Sequence, residues 1–170
     1  MSKIALKYGG TIDKFVGDAI LIFFGDPETK GDKEDAYSCV LMALEMQERM
    51  HYLKNLWEGQ GITNPLEIRI GINTGYCNVG NFGSENRLDY TIIGGEVNLA
   101  SRLESNAMTG QILISQETYA LIKKHIVCEK KDEIKVKGIA HKIQTYQVVG
   151  SYKNIAQKRK ILNEKFDGFN

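Results

Sequence analysis

Five side chains in this 170-residue sequence combine a reactive type with a telling position: Lys14, Asp18, Asn98, Arg102 and Lys137. Asp18 follows Gly17 between two β-rich runs, so its carboxylate is backbone-held and exposed, a placement that turn formation alone would explain. Lys14 lies upstream on the first run. At about 3.3 Å per residue the two Cα atoms are roughly 13 Å apart. That is too far for one compact ion pair, but it suits opposite ends of an extended ligand, or two different sites. Asn98 and Arg102 are spaced to share one face of a helix. Such a pair is either simply solvated or functional, with a guanidinium fork for a phosphoryl group and an amide to orient a sugar or ring oxygen. Lys137 alternates out of Ile134-Lys135-Val136-Lys137-Gly138, either as edge decoration or as a phosphate contact.

The elements that must position these residues follow from periodicity. Runs 11–16 and 19–24 flank Gly17-Asp18 and read as a tight hairpin, since Gly accepts the positive φ of primed turns. Asp32 is the expected N-cap of a helix over about 35–57, with Ala36, Val40, Leu44, Met46, Met50, Leu53 and Trp57 on one buried face. Gly59 and Gly61 end it. Residues 66–73 alternate cleanly and predict a strand, 76–82 a second one, 81–87 a loop, and 88–93 a short extended piece. Gly94-Gly95 opens a helix to about Ser105. A strand over 111–115 then leads into a helix over 117–124 with Ser115 as cap, and short strands continue to Val149. Strands and helices mix around at least one hairpin, so the fold class is α+β.

Composition excludes several function classes. Hydrophobic residues are 42% and charged residues 25%, an ordinary globular balance. The longest strongly apolar run, 19–24, is far short of the roughly 20 residues a membrane span needs. No charged-then-apolar leader opens the sequence. Cys39, Cys77 and Cys128 are isolated, without metal-like spacing, which fits a reduced, cytoplasmic setting. Net charge is +1. From Ser151 onward Lys153, Lys158, Arg159, Lys160 and Lys165 outnumber Glu164 and Asp167, and Ile155, Leu162 and Phe166 lie at near-helical spacing. This tail, 151–170, reads as a solvated helix or linker after a domain over 1–150. Nothing demands nucleic acid.

Lys-Phe-Val-Gly-Asp-Ala at 14–19, Arg-Ile-Gly-Ile-Asn-Thr-Gly at 69–75, Asp-Tyr-Thr-Ile-Ile-Gly-Gly-Glu-Val-Asn-Leu-Ala-Ser-Arg-Leu-Glu at 89–104 and Val-Lys-Gly at 136–138 occur in that order. Together they resemble the catalytic domain of class III nucleotidyl cyclases, of the bacterial adenylate cyclase type, over about residues 5–150. The resemblance implies a ferredoxin-like cyclase fold, an antiparallel sheet with helices packed on it. It implies conversion of ATP to 3′,5′-cyclic AMP and pyrophosphate with two Mg²⁺ or Mn²⁺ ions, for intracellular signalling. Asp18 then matches a metal-binding aspartate. Lys14 and Thr91 match the base-reading pair of adenylate cyclases, where guanylate cyclases typically carry Glu and Cys. Asn98 matches the ribose-orienting residue and Arg102 the one that stabilises charge on the reacting phosphate. Lys137, or else Lys135, matches the lysine for the distal phosphates. The family also implies a homodimer with composite sites. Further sensor or regulatory domains would make this a cytoplasmic part of a larger, membrane-tethered protein in some cases.

Family members carry another metal aspartate on an earlier strand, followed by a phosphate loop and a helix, whereas 2–8 here resembles the end of that helix. The expectation is therefore an N-terminally truncated domain, inactive alone. Asp13 and Asp26 are the nearest other carboxylates, and neither is expected to substitute. The competing readings are a non-catalytic, cyclase-like dimerisation or regulatory module, and a diguanylate cyclase using Gly94-Gly95-Glu96. The second is disfavoured because Glu96 opens a helical pattern instead of a hairpin.

Overall fold

The computed structural model of the chain describes residues 1–84 and 87–157. Its central element is α2 (Asp32–Gly59), which buries two stripes rather than the single face its sequence predicts. Ala36, Val40 and Ala43 face a sheet, while Met42 and Met46 pack behind the helix against Ala5 of α1 (Ser2–Lys7). Leu44, Leu53 and Trp57 are only half-buried. Gly31, with φ of 93°, takes the N-cap position expected of Asp32. Asp32 enters the first turn with Glu34 and Asp35, where the helix dipole favours acids. Asp35 accepts hydrogen bonds from Thr29 Oγ1 at 2.6 Å and Lys30 N at 3.2 Å. At the other end Gly61 N donates to Glu58 O and Ile62 N to Trp57 O, both at 3.0 Å. That paired closure is the Schellman motif, and it requires the positive φ of 83° at Gly61.

The sheet under α2 has four strands in the order β3 (Ile70–Ile72), β6 (Ile112–Ser115), β8 (Thr145–Ser151), β7 (Ile126–Lys130). β3 and β6 are parallel and the other pairs antiparallel. The strand expected over 66–73 shrinks to Ile70–Ile72. The Ile68 carbonyl is instead taken by Gly110 N and Gln47 Nε2. Two helices cover the sheet beside α2. α4 (Gln116–Ile122) starts at Ser115, whose hydroxyl accepts from Thr118 N, as expected of its cap. α3 (Gly95–Asn106) buries Leu99 and Leu103 against Leu113, Val136 and Ile143. It lies so close to β3 that a Cβ at Gly71 would sit 2.2 Å from Glu104 N and 2.4 Å from Ala100 O.

Two antiparallel ribbons complete the α+β fold. β1 (Thr11–Val16) and β2 (Ala19–Phe23) form the expected hairpin, with Gly17 at φ 63° in its turn. The ladder shifts between Ile12 and Lys14, so Asp13 is an unpaired extra residue, a β-bulge. β4 (Asn78–Ser84) pairs with β5 (Arg87–Ile93) over their full lengths. The loop expected over 81–87 is thus mostly strand, and Glu85 and Asn86 lie outside the described residues. Residues 152–157 are helical, and the remainder of the expected tail helix, with Leu162 and Phe166, lies outside them too. Among the described residues no helix is long and apolar enough to cross a membrane.

Candidate active site

The bulge explains how the base of the first ribbon meets the second. In a regular strand neighbouring side chains point to opposite faces, and an extra residue lifts that alternation. The Asp13 side chain is only 2% exposed, and its Oδ1 stands 3.5 Å from Lys14 Nζ. Its Oδ2 accepts from Thr91 Oγ1 at 2.7 Å and from Ile92 N at 3.3 Å. Lys14 on β1 and Thr91 on β5, 6% exposed, are therefore drawn together through one buried carboxylate. Sequence reasoning set Asp13 aside as a spare acid. The signal for it was a charged residue preceding Lys14 in an otherwise apolar run.

Asn98 and Arg102 project from the exposed side of α3, opposite Leu99 and Leu103. Among the described residues neither the Asn98 amide nor the Arg102 guanidinium is engaged by a protein partner. The Arg102 backbone carbonyl accepts from Asn106 Nδ2 at 2.8 Å. Lys137 occupies a turn with Gly138, not the strand its sequence predicts. Ile134 bridges only to Ile143, and Ile139 N bonds back to Val136 O at 3.1 Å. Val136 is buried against α3, so the exposed Lys135 and Lys137 flank an anchor on the helix that carries Arg102.

Asp18 is exposed at the hairpin tip, and its carboxylate takes no hydrogen bond or ion pair among the described residues. Asp26 is committed: its Oδ1 accepts the Tyr90 hydroxyl and its carbonyl accepts Thr11 Oγ1 at 2.7 Å. No group of three His, Cys, Asp or Glu side chains among the described residues could enclose a metal ion. A free carboxylate oxygen pair nonetheless fits Mg²⁺ or Mn²⁺ of the kind held by one or two carboxylates together with substrate phosphates.

Sequence reasoning also missed a half-buried polar pair near the start of α3. Asn73 Nδ2 donates to Glu96 Oε2 at 2.7 Å and to Glu96 O at 3.2 Å. A Cβ at Gly75 would fall 2.5 Å from Glu96 Cγ, so that glycine leaves room for the glutamate. Burial pushes the Cys39 thiol up to about 12 and that of Cys128 to about 11, and burial with the nearby Glu96 raises Cys77. Thiols held protonated in this way are poor nucleophiles at neutral pH. The site's polar groups are instead a Lys–Thr pair tied to Asp13, an Asn–Arg helical face, a lysine turn and a lone carboxylate. That set suits a nucleotide better than covalent catalysis.

Comparison with known proteins agrees. Residues 4–150 match the family model of the adenylate and guanylate cyclase catalytic domain. The chain superposes on the adenylyl cyclase CyaB from P. aeruginosa with a TM-score of 0.85 and 63% identity, covering 88% of this chain and 76% of that one. The guanylyl cyclase Cya2 superposes with a TM-score of 0.81 and 37% identity, over 88% of this chain and 75% of the other. Adenylate cyclase 1 of Rhizobium meliloti is 32% identical over 88% of this chain and 22% of its own length. The chain spans under a third of the curated relatives it matches. By these matches, and by the fold and residues above, the chain belongs to the class III adenylate and guanylate cyclase catalytic-domain family.

Proposed function

We propose that this domain is an adenylate cyclase, forming 3′,5′-cyclic AMP and pyrophosphate from ATP by attack of the ribose 3′-oxygen on the α-phosphate. The observation that carries the choice of base is the Lys14–Thr91 pair held at Asp13. The adenine edge offers an acceptor at N1 and a donor at its exocyclic amine. Lys14 donates to the first and Thr91 accepts from the second. Asn98 orients the ribose, Arg102 stabilises charge on the reacting phosphate, and Lys137 meets the distal phosphates, with Lys135 the alternative. Asp18 is the residue that would hold Mg²⁺ or Mn²⁺. Such an ion, when bound, stabilises charge on the phosphoryl oxygens as a Lewis acid.

The active form is a cytoplasmic homodimer in which Asp18 of one copy faces the Lys14, Thr91, Asn98 and Arg102 of the other.

Nucleotide binding tests the base assignment without requiring turnover. Titrated with ATP and with GTP in the presence of Mn²⁺, the chain should prefer ATP. Lys14→Glu combined with Thr91→Cys should weaken ATP and raise relative GTP affinity, since unmatched polar groups discriminate by orders of magnitude. An unchanged ratio in that double variant would refute the assignment.

A further inference from the structure

A threonine hydroxyl can donate or accept, so Thr91 by itself does not choose between bases. Adenine presents a donor at its six-position and guanine an acceptor. A freely rotating hydroxyl would satisfy either. Thr91 is not free to rotate without loss, because its single proton already points at Asp13 Oδ2, 2.7 Å away in a buried setting. Withdrawing that proton would leave a buried carboxylate short of a partner, with only Ile92 N at 3.3 Å left on the same oxygen. The other oxygen faces Lys14 Nζ at 3.5 Å.

We propose that Asp13 is a positioning residue that sets base choice. By accepting the Thr91 proton it leaves only lone pairs of that hydroxyl toward the base, and so selects a nucleoside triphosphate whose six-position is an amine. The inference deepens the proposed ATP reading and rests on it. It stands on the bulge as well as on the hydrogen bonds. Without the unpaired residue between Ile12 and Lys14, Asp13 would alternate away from the face that Lys14 occupies. Bulges re-aim side chains beside active sites, and here the re-aimed group is the one that touches both base-reading residues.

The test is competitive binding of ATP and GTP to the 170-residue chain with Mn²⁺, with far-UV circular dichroism confirming the fold of each variant. Asp13→Ala frees the Thr91 hydroxyl to turn, so the ATP-over-GTP preference should fall about tenfold, the discrimination carried by one hydrogen bond. Asp13→Asn keeps an oxygen that can accept from Thr91, and should retain most of the preference. In a Thr91→Val background, Asp13→Ala should change the ratio no further, because the proton it controls is gone. A merely structural role would instead lower both affinities together and leave the ratio unmoved.

If Asp13→Ala does not fold, Asp13→Glu against Asp13→Asn decides. The longer acid keeps the charge beside Lys14 but displaces the acceptor, so it should lose selectivity where the amide keeps it. Loss in the amide with retention in the longer acid would overturn the inference in favour of charge alone. A clear ATP preference that no Asp13 substitution alters would overturn the role of Asp13 and leave the base reading standing. Equal affinity for both nucleotides in the unaltered chain would overturn the base reading itself.

Discussion

In β6 all four residues, Ile112 to Ser115, are buried, whereas β1 runs from half-buried to exposed and β4 is exposed at six of its seven positions. The four-stranded sheet is covered by α2 and α4, so Val40, Ala43, Ile114, Ile122 and Ile126 lose essentially all contact with water. The ribbons have less cover: Ile12 and Ile22 pack on Ala5, Met42 and Met46, while the end of β1 and nearly all of β4 stay exposed. They are tied to each other by Thr91 to Asp13, by Tyr90 to Asp26, and by the Phe23 and Tyr90 rings at 6.4 Å. A two-stranded ribbon alone is at best marginally stable in water, so these polar and aromatic ties add to the packing of Ile12 and Ile22 on α1 and α2. The residues proposed above to carry the chemistry lie at the boundary. Asn98 and Arg102 ride on a helix anchored by Leu99 and Leu103, while Lys14, Thr91 and Asp18 ride on the ribbons. The packed half would fix the groups proposed to meet ribose and phosphate. The ribbon half would leave the proposed base-reading groups on elements that a second copy completes in the proposed homodimer.

The comparison breaks most visibly in stability. Ile114→Ala removes a fully buried side chain among close-packed neighbours and should destabilise the fold by about 2–5 kcal/mol. Phe15→Ala, at a residue 62% exposed on the ribbon, should cost no more than about 0.5 kcal/mol in the monomer. Urea unfolding followed by circular dichroism measures both. Equal losses would show that the ribbons share the core's cooperativity.

What the sequence made legible divides along the same line. The hairpin was readable because Gly17-Asp18 separates two apolar runs, and α3 and the Ser115 cap because their periods and caps agree. Three things were hidden for physical reasons. A bulge inserts one residue into a period-two pattern and leaves no trace in composition, so the role of Asp13 emerged only with the ladder register. A helix buried on two sides has no single apolar stripe, so α2 was assigned one face where it has two. Alternation over 66–73 stated which side chains point inward, but not that Ile68 would give its carbonyl to Gly110 and Gln47 instead of to a strand. Of the candidate site, the residue types and their elements were legible. The buried partner that orients them was not.

A second measurement sharpens the contrast through association. Phe15, Val16 and Leu88, all on the ribbons, are each more than 60% exposed. The proposed homodimer is expected to cover Phe15. Phe15→Asp should therefore weaken self-association by about tenfold or more in sedimentation equilibrium, since buried aromatic anchors carry much of an interface's energy. The equivalent charge at exposed Tyr52, on the back of α2, should leave it unchanged. Equal effects, or none at Phe15, would place the interface elsewhere.

The smallest expected effect concerns the periphery behind α2, where α1 is fastened by polar groups beside a small apolar contact. Tyr8 Oη and Lys7 Nζ both reach Glu45 Oε2 at 2.6 Å. Burial first, then the hydrogen bond and charge of Glu45, push the Tyr8 phenol up to about 12. The Lys7 and Tyr8 hydrogen bonds in turn hold the Glu45 carboxyl below its ordinary value. A phenol whose pKa is raised by folding favours the folded state fully below its ordinary value of about 10. That contribution is lost as pH climbs toward 12. The Glu45 contribution has the opposite sense. It is present above the ordinary carboxylate range and fades as acid protonates the group. Tyr8→Phe removes the phenol's titration and one hydrogen bond, so at neutral pH it should cost about 0.5–1.5 kcal/mol, toward the lower end because Tyr8 is only part-buried. Above pH 10 the gap between variant and parent should close, because the parent alone must keep its phenol protonated against solvent. Urea midpoints for both proteins between pH 8 and pH 11 give the difference directly, and other titrating groups cancel in it. A gap that stayed constant across that range would mean that folding does not raise the Tyr8 phenol, and no gap at any pH would mean that Tyr8 holds α1 by the packing of its ring and not by its hydroxyl.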